Sequence, residues 1–388
     1  MSWTTTRPIP AVFVRGALEL ETTHRGMLPH RLPAWARAQA GGDAQLLMVE
    51  SQPSGVKIAF RTEATELELD TLRTRIMYRG APPRPDGIIE LLVNGDLVDS
   101  AVTHGGDATV IDMATGSMSQ DQGPVCTSRF AQLRSGMKNI EIWLPHSEVT
   151  ELVELRSNAE VEPPAPVSRP RWLHHGSSIS HGSNATRPTA IWPAIAAKAG
   201  NVELTNLGFG GSALLDPFMA RTMRDTPAQF ISVKMGINLV NLDLMRRRAL
   251  GPAVHGFLDT IREGHPETPL LVISPIFCGI HEETPGPGAF DMDALAAGSM
   301  QFVATGDPAE IAAGKLTLRV IRDELQKIVA QRAADDANLY YLDGLDLYGE
   351  ADSGEHPLPD ALHPDTATHQ LIGERFASMA FGAGGPLS

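Results

Sequence analysis

The spacing of apolar residues changes at a proline-rich stretch, and this change restricts the folds that the chain can adopt. Four prolines fall within the nine residues 162–170, a composition that favours an extended connector. Before this stretch, apolar and polar residues alternate with a period of two, whereas after it short apolar runs alternate with helical patterns. We therefore predict two domains of different architecture, residues 1–165 and residues 168–388.

The N-terminal part has the pattern of an antiparallel β-sandwich. Alternation over 56–60 and 65–70 predicts strands with one apolar face. Residues 88–98 indicate a hairpin around Asn94-Gly95, the strongest short signal for a two-residue turn. Further strands are expected over 139–144 and 149–155. Many short strands separated by turn residues predict an all-β, jelly-roll-like accessory domain.

The C-terminal part predicts a parallel sheet covered on both faces. Helical patterns occur at 189–198 and 316–331, and the second places Leu318, Ile321 and Leu325 on one stripe. Strands are expected at 172–173, 202–207, 230–235, 270–276 and 339–342. Strands that alternate with helices predict a three-layer α/β/α fold. A long insertion over 278–314 is expected to be a functional loop, such as a lid or pocket wall.

Charge and cysteine content exclude several classes of protein. The 46 acidic and 32 basic side chains give a formal charge of −14, which disfavours nucleic-acid and polybasic membrane partners. Two cysteines, Cys126 and Cys278, cannot form a disulfide framework or a four-thiolate metal site. The N-terminus shows no signal-peptide core, and the longest apolar runs are too short to span a bilayer. We therefore expect a cytoplasmic protein of undetermined oligomeric state.

Polar residues with complementary chemistry follow successive predicted strands: Ser178, Gly211, Asn238, and the pair Asp360 and His363. Taken singly, each has a structural explanation as a helix cap or turn residue. The carboxyl ends of parallel strands meet at one edge, so these residues are expected to lie together. A serine hydroxyl becomes an effective nucleophile when an imidazole accepts its proton, and a carboxylate can orient that imidazole. A glycine N–H and a side-chain amide can donate hydrogen bonds to the oxyanion that develops during the reaction. The combination predicts acyl transfer.

The order GSSIS, N-x-G-x-x-G, G-x-N, D-x-x-H resembles the four sequence blocks of the SGNH, or GDSL-like, hydrolases, from about residue 169 to the C-terminus. The resemblance implies that Ser178 is the nucleophile, that His363 is the general base and that Asp360 orients it. It also implies an oxyanion hole formed by the N–H groups of Ser178 and Gly211 and by the Asn238 amide. Asn241 is a second candidate for the asparagine role.

The resemblance further implies a flavodoxin-like fold and hydrolysis of acyl esters without a metal or an organic cofactor. Two departures bear on the substrate subclass: Ser177 stands where the first block usually has Asp, and Leu239 follows the asparagine where Asp is frequent. A β-sandwich before the hydrolase domain is similar to the layout of some carbohydrate esterases and natural-product acyl-processing enzymes.

We therefore expect a serine esterase that hydrolyses short acyl esters, acetyl esters first, of a sugar-like or other small alcohol. His175 and His181 are candidate substrate-binding residues. The alternatives are an acyltransferase that uses the same triad in natural-product tailoring, and a non-catalytic binding protein on a hydrolase fold.

Two other classes fit less well. Residues 208–213 match a dinucleotide fingerprint, but the acidic residue required about 20 positions later is missing. A metallohydrolase could use histidines near the serine, His174, His175 and His181, together with the His281-Glu282-Glu283 segment. However, the chain has no H-E-x-x-H motif. No metal and no cofactor is therefore expected.

Overall fold

The computed structural model describes residues 3–79, 84–112, 115, 117–166 and 169–388. The chain divides into two compact units. The β unit comprises Met1–Arg37, Leu47–Ser168 and Thr186–Thr189, and the α/β unit comprises Ala38–Leu46, Arg169–Ala185 and Ala190–Ser388. Residues 167 and 168 of the predicted connector lie outside the described residues. A single domain boundary near this connector does not account for residues 38–46, because they group with the α/β unit.

The N-terminal 162 residues form short strands and two short helices. A 3₁₀ turn, Ala11–Phe13, follows the first strand. The elements are β1 (Thr4–Thr6), β2 (Val14–Arg15), β3 (Glu19–Thr22), β4 (Met27–His30), α1 (Ala34–Gln39), α2 (Ala44–Glu50), β5 (Lys57–Thr62), β6 (Leu67–Arg79), β7 (Ile88–Val93), β8 (Asp96–Val102), β9 (Asp107–Asp112), β10 (Met118–Asp121), β11 (Cys126–Phe130), β12 (Lys138–Trp143), β13 (Val149–Ser157) and β14 (Val161–Glu162).

Two sheets enclose the core of the β unit. One has the order β10-β9-β6-β13-β4-β3, with β1 on β13 and β11 on β6, and the other has the order β14-β5-β12-β7-β8, with β2 on β5. Leu69 and Leu155 from the first sheet pack into one apolar cluster with Phe60 and Ile142 from the second. Asn94 and its neighbour Gly95 have positive φ and join β7 to β8, as the hairpin signal predicts. The predicted all-β sandwich is confirmed.

The remaining elements alternate strands with helices. The 3₁₀ turns are Pro188–Ala190 and Pro308–Ala313, and a short π-helical stretch, Ala377–Phe381, follows the last helix. The elements are β15 (Arg171–Gly176), α3 (Ser178–His181), α4 (Trp192–Ala199), β16 (Glu203–Gly208), α5 (Pro217–Asp225), β17 (Phe230–Lys234), α6 (Ile237–Asn241), α7 (Arg247–Gly264), β18 (Leu270–Ile273), β19 (Gly288–Phe290), α8 (Met292–Ala296), β20 (Phe302–Ala304), α9 (Leu318–Arg332), β21 (Leu339–Leu342), α10 (Gly344–Leu347), α11 (Glu350–Glu355) and α12 (Thr366–Phe376).

The sheet of the α/β unit is parallel throughout, with the order β16-β15-β17-β18-β21. This is the flavodoxin-like order, in which a crevice forms where the strand order reverses, beside the first and third strands. Trp172 stacks on Phe376 in the core at one face, and His175 stacks on Phe257 at the other. The predicted five strands and the three-layer α/β/α fold are confirmed.

The predicted helical stripe and the long insertion both acquire definite structure. Thr317 caps α9 by accepting a hydrogen bond from the Val320 N–H, and the predicted apolar stripe of α9 is buried. Within the insertion, β19 and β20 pair as an antiparallel hairpin around α8. Across the described ranges, no helix is both long enough and apolar enough to cross a bilayer.

Candidate active site

Ser178 begins α3, directly after the first strand of the parallel sheet. The Ser177 hydroxyl accepts a hydrogen bond from the Ile179 N–H and caps the helix, so it fills a role that the Asp of the usual block could also fill. The chain at Gly208 passes so close that a Cβ there would lie 2.6 Å from the His181 nitrogen. Only glycine therefore allows the end of β16 to approach the serine loop.

Ser178, His363 and Asp360 form a continuous chain of hydrogen bonds. The Ser178 Oγ lies 2.9 Å from His363 Nε2, and His363 Nδ1 lies 2.8 Å from Asp360 Oδ2. Ser178 is 8% exposed, so the residue is largely sheltered from solvent. In this arrangement an imidazole can accept the hydroxyl proton at Nε2 while a carboxylate holds its Nδ1–H.

The Asp360 carboxylate accepts hydrogen bonds on both oxygens. Oδ1 accepts from the backbone N–H groups of Leu362 and His363, at 3.0 and 2.7 Å. Oδ2 accepts from Asn184 Nδ2 at 3.0 Å in addition to the His363 ring. Burial opposes ionisation, but the His363 contact and the two backbone donors outweigh it and lower the pKa of Asp360. Asp360 is therefore a carboxylate at neutral pH.

The turn that carries the aspartate and the histidine contains a strained residue. Ala361 has φ 64°, in the left-handed region that disfavours residues with a Cβ. Its carbonyl accepts a hydrogen bond from Cys278 Sγ at 3.4 Å, and the Phe302 N–H donates to the Asp360 carbonyl at 3.0 Å. These contacts from the insertion hold the turn in a conformation that directs both side chains toward Ser178.

Gly211 and Asn238, two of the three predicted oxyanion donors, line the same cleft. Gly236, which precedes α6, has φ 134°, and a Cβ there would lie 2.5 Å from Pro275 Cγ, so the G-x-N block needs its glycine. The Asn238 Oδ1 accepts a hydrogen bond from the Ala213 N–H at 3.1 Å. Because this hydrogen bond holds the oxygen of the amide, it also restrains the direction in which the NH₂ group of Asn238 donates.

The cleft has a volume of about 260 Å³ and is mostly apolar. Its lining comprises Gly211, Asn238, Asn241, Leu242, Ile280, Gly288, Ala289, Phe290, Phe302 and Leu362. The Phe302 ring stands edge-on to the His363 ring, with centroids 5.5 Å apart, so the cleft borders the serine–histidine pair. The hairpin of the insertion thus supplies one wall of the cleft through Phe290 and Phe302. Met292, which begins α8 between the two strands of the hairpin, is 66% exposed.

The histidines predicted to bind substrate are not among the residues that line the cleft. His175 is buried, and its Nδ1 lies 2.7 Å from the Leu207 carbonyl oxygen. Burial lowers the pKa of His175 to about 4, although this hydrogen bond opposes the shift. His181 is also buried, with Nδ1 3.2 Å from the Gly208 carbonyl oxygen. A substrate-binding role for either residue finds no support in these contacts. Asn241, the second candidate for the asparagine role, does line the cleft.

His174 takes part in an internal network. Its Nδ1 and Nε2 lie 2.8 Å from the hydroxyls of Ser232 and Ser180. Burial holds its pKa well below the ordinary value, so the ring is neutral. Across the part of the chain that the structure describes, no three His, Cys, Asp or Glu side chains are grouped to hold a metal ion.

Sequence reasoning missed two polar residues beside the predicted site. Asn184 holds Asp360, and Gln45 Nε2 donates to the Gly210 carbonyl at 2.9 Å, next to Gly211. Asn184 lies six positions after Ser178 but belongs to no motif, and Gln45 lies far upstream. No sequence signal links either residue to the blocks.

Comparisons with known proteins agree with this fold. Residues 171–278 match the model of the GDSL-like lipase/acylhydrolase family. This match and the sheet order confirm the resemblance to the SGNH, GDSL-like hydrolases for the α/β unit. No curated protein sequence matches the chain.

Solved structures with the same two-part layout cover nearly the whole chain. The salicylyl-acyltransferase SsfX3 from a tetracycline biosynthetic pathway is 25% identical, with a TM-score of 0.77 over 96% of this chain and 95% of that one. A family two carbohydrate esterase from Cellvibrio japonicus is 11% identical, with a TM-score of 0.56 over 97% and 96%. An acetyl xylan esterase from the rumen bacterium Butyrivibrio proteoclasticus is 10% identical, with a TM-score of 0.53 over 100% and 99%.

Proposed function

We propose that the protein cleaves acyl esters through a covalent acyl-enzyme, with Ser178 as nucleophile, His363 as general base and Asp360 as the group that orients the imidazole. The observation that carries this proposal is the hydrogen-bond chain of 2.9 and 2.8 Å that joins the three side chains. A serine hydroxyl is a weak nucleophile by itself, and this arrangement lets the imidazole remove its proton during attack.

The reaction proceeds in two steps. Ser178 Oγ attacks the ester carbonyl while His363 takes the proton, and His363 then returns it to the leaving alcohol. The N–H groups of Ser178 and Gly211 and the Asn238 amide stabilise the negative charge on the carbonyl oxygen. Water, activated by the same imidazole, attacks the acyl-enzyme and releases the acid.

The cleft favours a short acyl ester of a small, neutral alcohol. Its volume of about 260 Å³ is small for a ligand pocket, which favours a compact group. Leu242, Phe290 and Phe302 make its wall apolar. The formal charge of −14 disfavours anionic substrates. We therefore favour acetyl and similarly short acyl esters of sugar-like or other small alcohols.

Acyl transfer is the second candidate, because SsfX3, named a salicylyl-acyltransferase, is similar over nearly the full length of both chains. The same residues would perform it, with an alcohol in place of water in the second step. Adding glycerol to an assay with 4-nitrophenyl acetate separates the two. A transferase yields acetylated glycerol in preference to free acetate.

The test of the proposed function compares the wild-type chain with Ser178→Ala on 4-nitrophenyl acetate, with and without a chelator. We expect the substitution to lower kcat by about 10³-fold or more, and the chelator to have no effect. Ser180→Ala is the matched control, because the Ser180 hydroxyl contacts His174 rather than His363. Activity that survives in folded Ser178→Ala would disprove the assigned nucleophile.

A further inference from the structure

A side chain from the N-terminal part of the sequence contacts the peptide that joins Gly210 and Gly211. Gln45 Nε2 donates to the Gly210 carbonyl oxygen at 2.9 Å. A Cβ built on Gly211 would lie 3.6 Å from Gln45 Cγ, so the glutamine side chain runs alongside both glycines. Residues 38–46 belong to the α/β unit, although they precede most of the β unit in the sequence.

This contact fixes the direction of a backbone N–H. The carbonyl of Gly210 and the N–H of Gly211 belong to one planar trans peptide and point in opposite directions. A hydrogen bond that holds the carbonyl oxygen toward Gln45 therefore holds the N–H on the opposite side. A donor on the carbonyl also polarises the peptide and strengthens the N–H as a donor.

The peptide needs such a restraint because glycines flank it on both sides. Without a Cβ, each glycine reaches both signs of φ at little cost, so the peptide plane can rotate. Gly211 has φ 76°, in the left-handed region that glycine adopts without strain. An oxyanion donor that rotates away before the reaction contributes little, since the effect depends on preorganisation.

The segment that carries Gln45 is itself anchored. The Asp43 carboxylate accepts a hydrogen bond from the Leu46 N–H at 3.0 Å at the start of α2. Arg221 on α5 donates to the Gln39 side chain at the other end of the segment. Gln45 is thus presented to Gly210 by a short stretch with contacts on both sides, and not by a free loop.

We propose that Gln45 is a positioning residue that orients the Gly211 N–H toward the oxyanion. This inference rests on the proposed function, because it assigns Gln45 a role only through the oxyanion hole. Gln45 itself need not touch the substrate. Because the oxyanion develops only in the transition state, we expect Gln45 to affect kcat and not KM.

The experiment uses three substitutions in the full chain, assayed on 4-nitrophenyl acetate. Gln45→Met keeps the length of the side chain but removes the donor, Gln45→Glu places an acceptor against the carbonyl, and Gln45→Lys restores a donor. We expect kcat to fall by about 3- to 10-fold in Gln45→Met, the factor that one neutral hydrogen bond contributes to an equilibrium. We expect a larger fall in Gln45→Glu and recovery toward the wild-type value in Gln45→Lys, with KM nearly constant.

Gln370→Met is the matched control, because it changes the same residue type at an exposed position of α12, where the side chain contacts Glu374. Titration of active sites with a fluorophosphonate expresses each kcat per active molecule, so partial misfolding does not imitate the effect. Equal kcat in Gln45→Met and Gln370→Met, or no recovery in Gln45→Lys, would overturn the inference and leave the proposed function intact. A wild-type chain that is inactive on all esters would overturn both.

Discussion

Replacement of Asp360 by Asn removes one charge from the candidate site and almost no volume. The Asp360 carboxylate accepts four hydrogen bonds, from two backbone N–H groups, from Asn184 Nδ2 and from His363 Nδ1. If the oxygen of the new asparagine accepts from the two backbone N–H groups, its NH₂ group faces Asn184 Nδ2 and His363 Nδ1. It then repels Asn184 and donates to His363 Nδ1, which moves the imidazole proton to the nitrogen that faces Ser178.

The size of the effect follows from the charge and from the proton position. An imidazolium and a carboxylate about 4 Å apart interact by about 4 kcal/mol at an effective dielectric constant of 20. Losing this stabilisation in the transition state corresponds to roughly a 10³-fold lower kcat. The reversed proton position removes the acceptor that Ser178 needs, so we expect a total loss of about 10³- to 10⁴-fold.

The assay is the kcat of Asp360→Asn on 4-nitrophenyl acetate, with folding checked by circular dichroism and thermal unfolding. Asp365→Asn is the matched control, because Asp365 caps α12 through the Thr368 N–H and asparagine caps equally well. Its kcat should equal that of the wild type. If folded Asp360→Asn keeps its activity within about 10-fold of the wild type, the electrostatic reasoning is wrong and Asp360 only shapes the turn.

Three further predictions concern the oxyanion hole, acid stability and backbone strain. Asn238→Asp keeps the oxygen that accepts from Ala213 but loses the NH₂ donor, so kcat should fall by about 10²- to 10³-fold, and an unchanged kcat would remove Asn238 from the oxyanion hole. Burial lowers the pKa of both His175 and His369 to about 4, so the unfolded state binds more protons between this value and about 6.5. Stability is therefore lost as the pH falls below about 6.5, and His369→Gln should flatten the decline of Tm with pH; an equally steep decline would contradict this account. Ala361→Gly relieves a left-handed φ of 64° and should raise stability by about 1 kcal/mol in denaturant titrations, whereas a loss would show that the turn is not strained.

The class of each of the two folds was predictable because it depends on local patterns. The Asn94-Gly95 turn is a local signal, and the structure has it between β7 and β8. The five parallel strands follow from apolar runs separated by helical patterns, and the apolar stripe of α9 follows from its own periodicity. Each of these features needs only neighbouring residues, so no tertiary contact was required to foresee them.

The environment of individual side chains was not predictable in this way. His175 and His181 flank Ser178 in the sequence, yet neither lines the cleft. The direction of a side chain at a strand end depends on the pleat and on the packing of the covering helix, as the stacking of His175 on Phe257 illustrates. In the insertion, Phe290 and Phe302 line the cleft, whereas Met292 is not among its lining residues, and this difference depends on the pairing of β19 with β20.

Periodicity and residue type along the chain are enough to establish the class of each fold and the chemical groups at the strand ends. Only the tertiary structure brought Ser178 within 2.9 Å of His363, 185 residues later, and placed Asn184 and Gln45 beside the candidate site. Hydrogen bonds form only over distances near 3 Å with aligned donors. Such alignment depends on how loops from distant parts of the chain pack together, and no local pattern in the sequence encodes it.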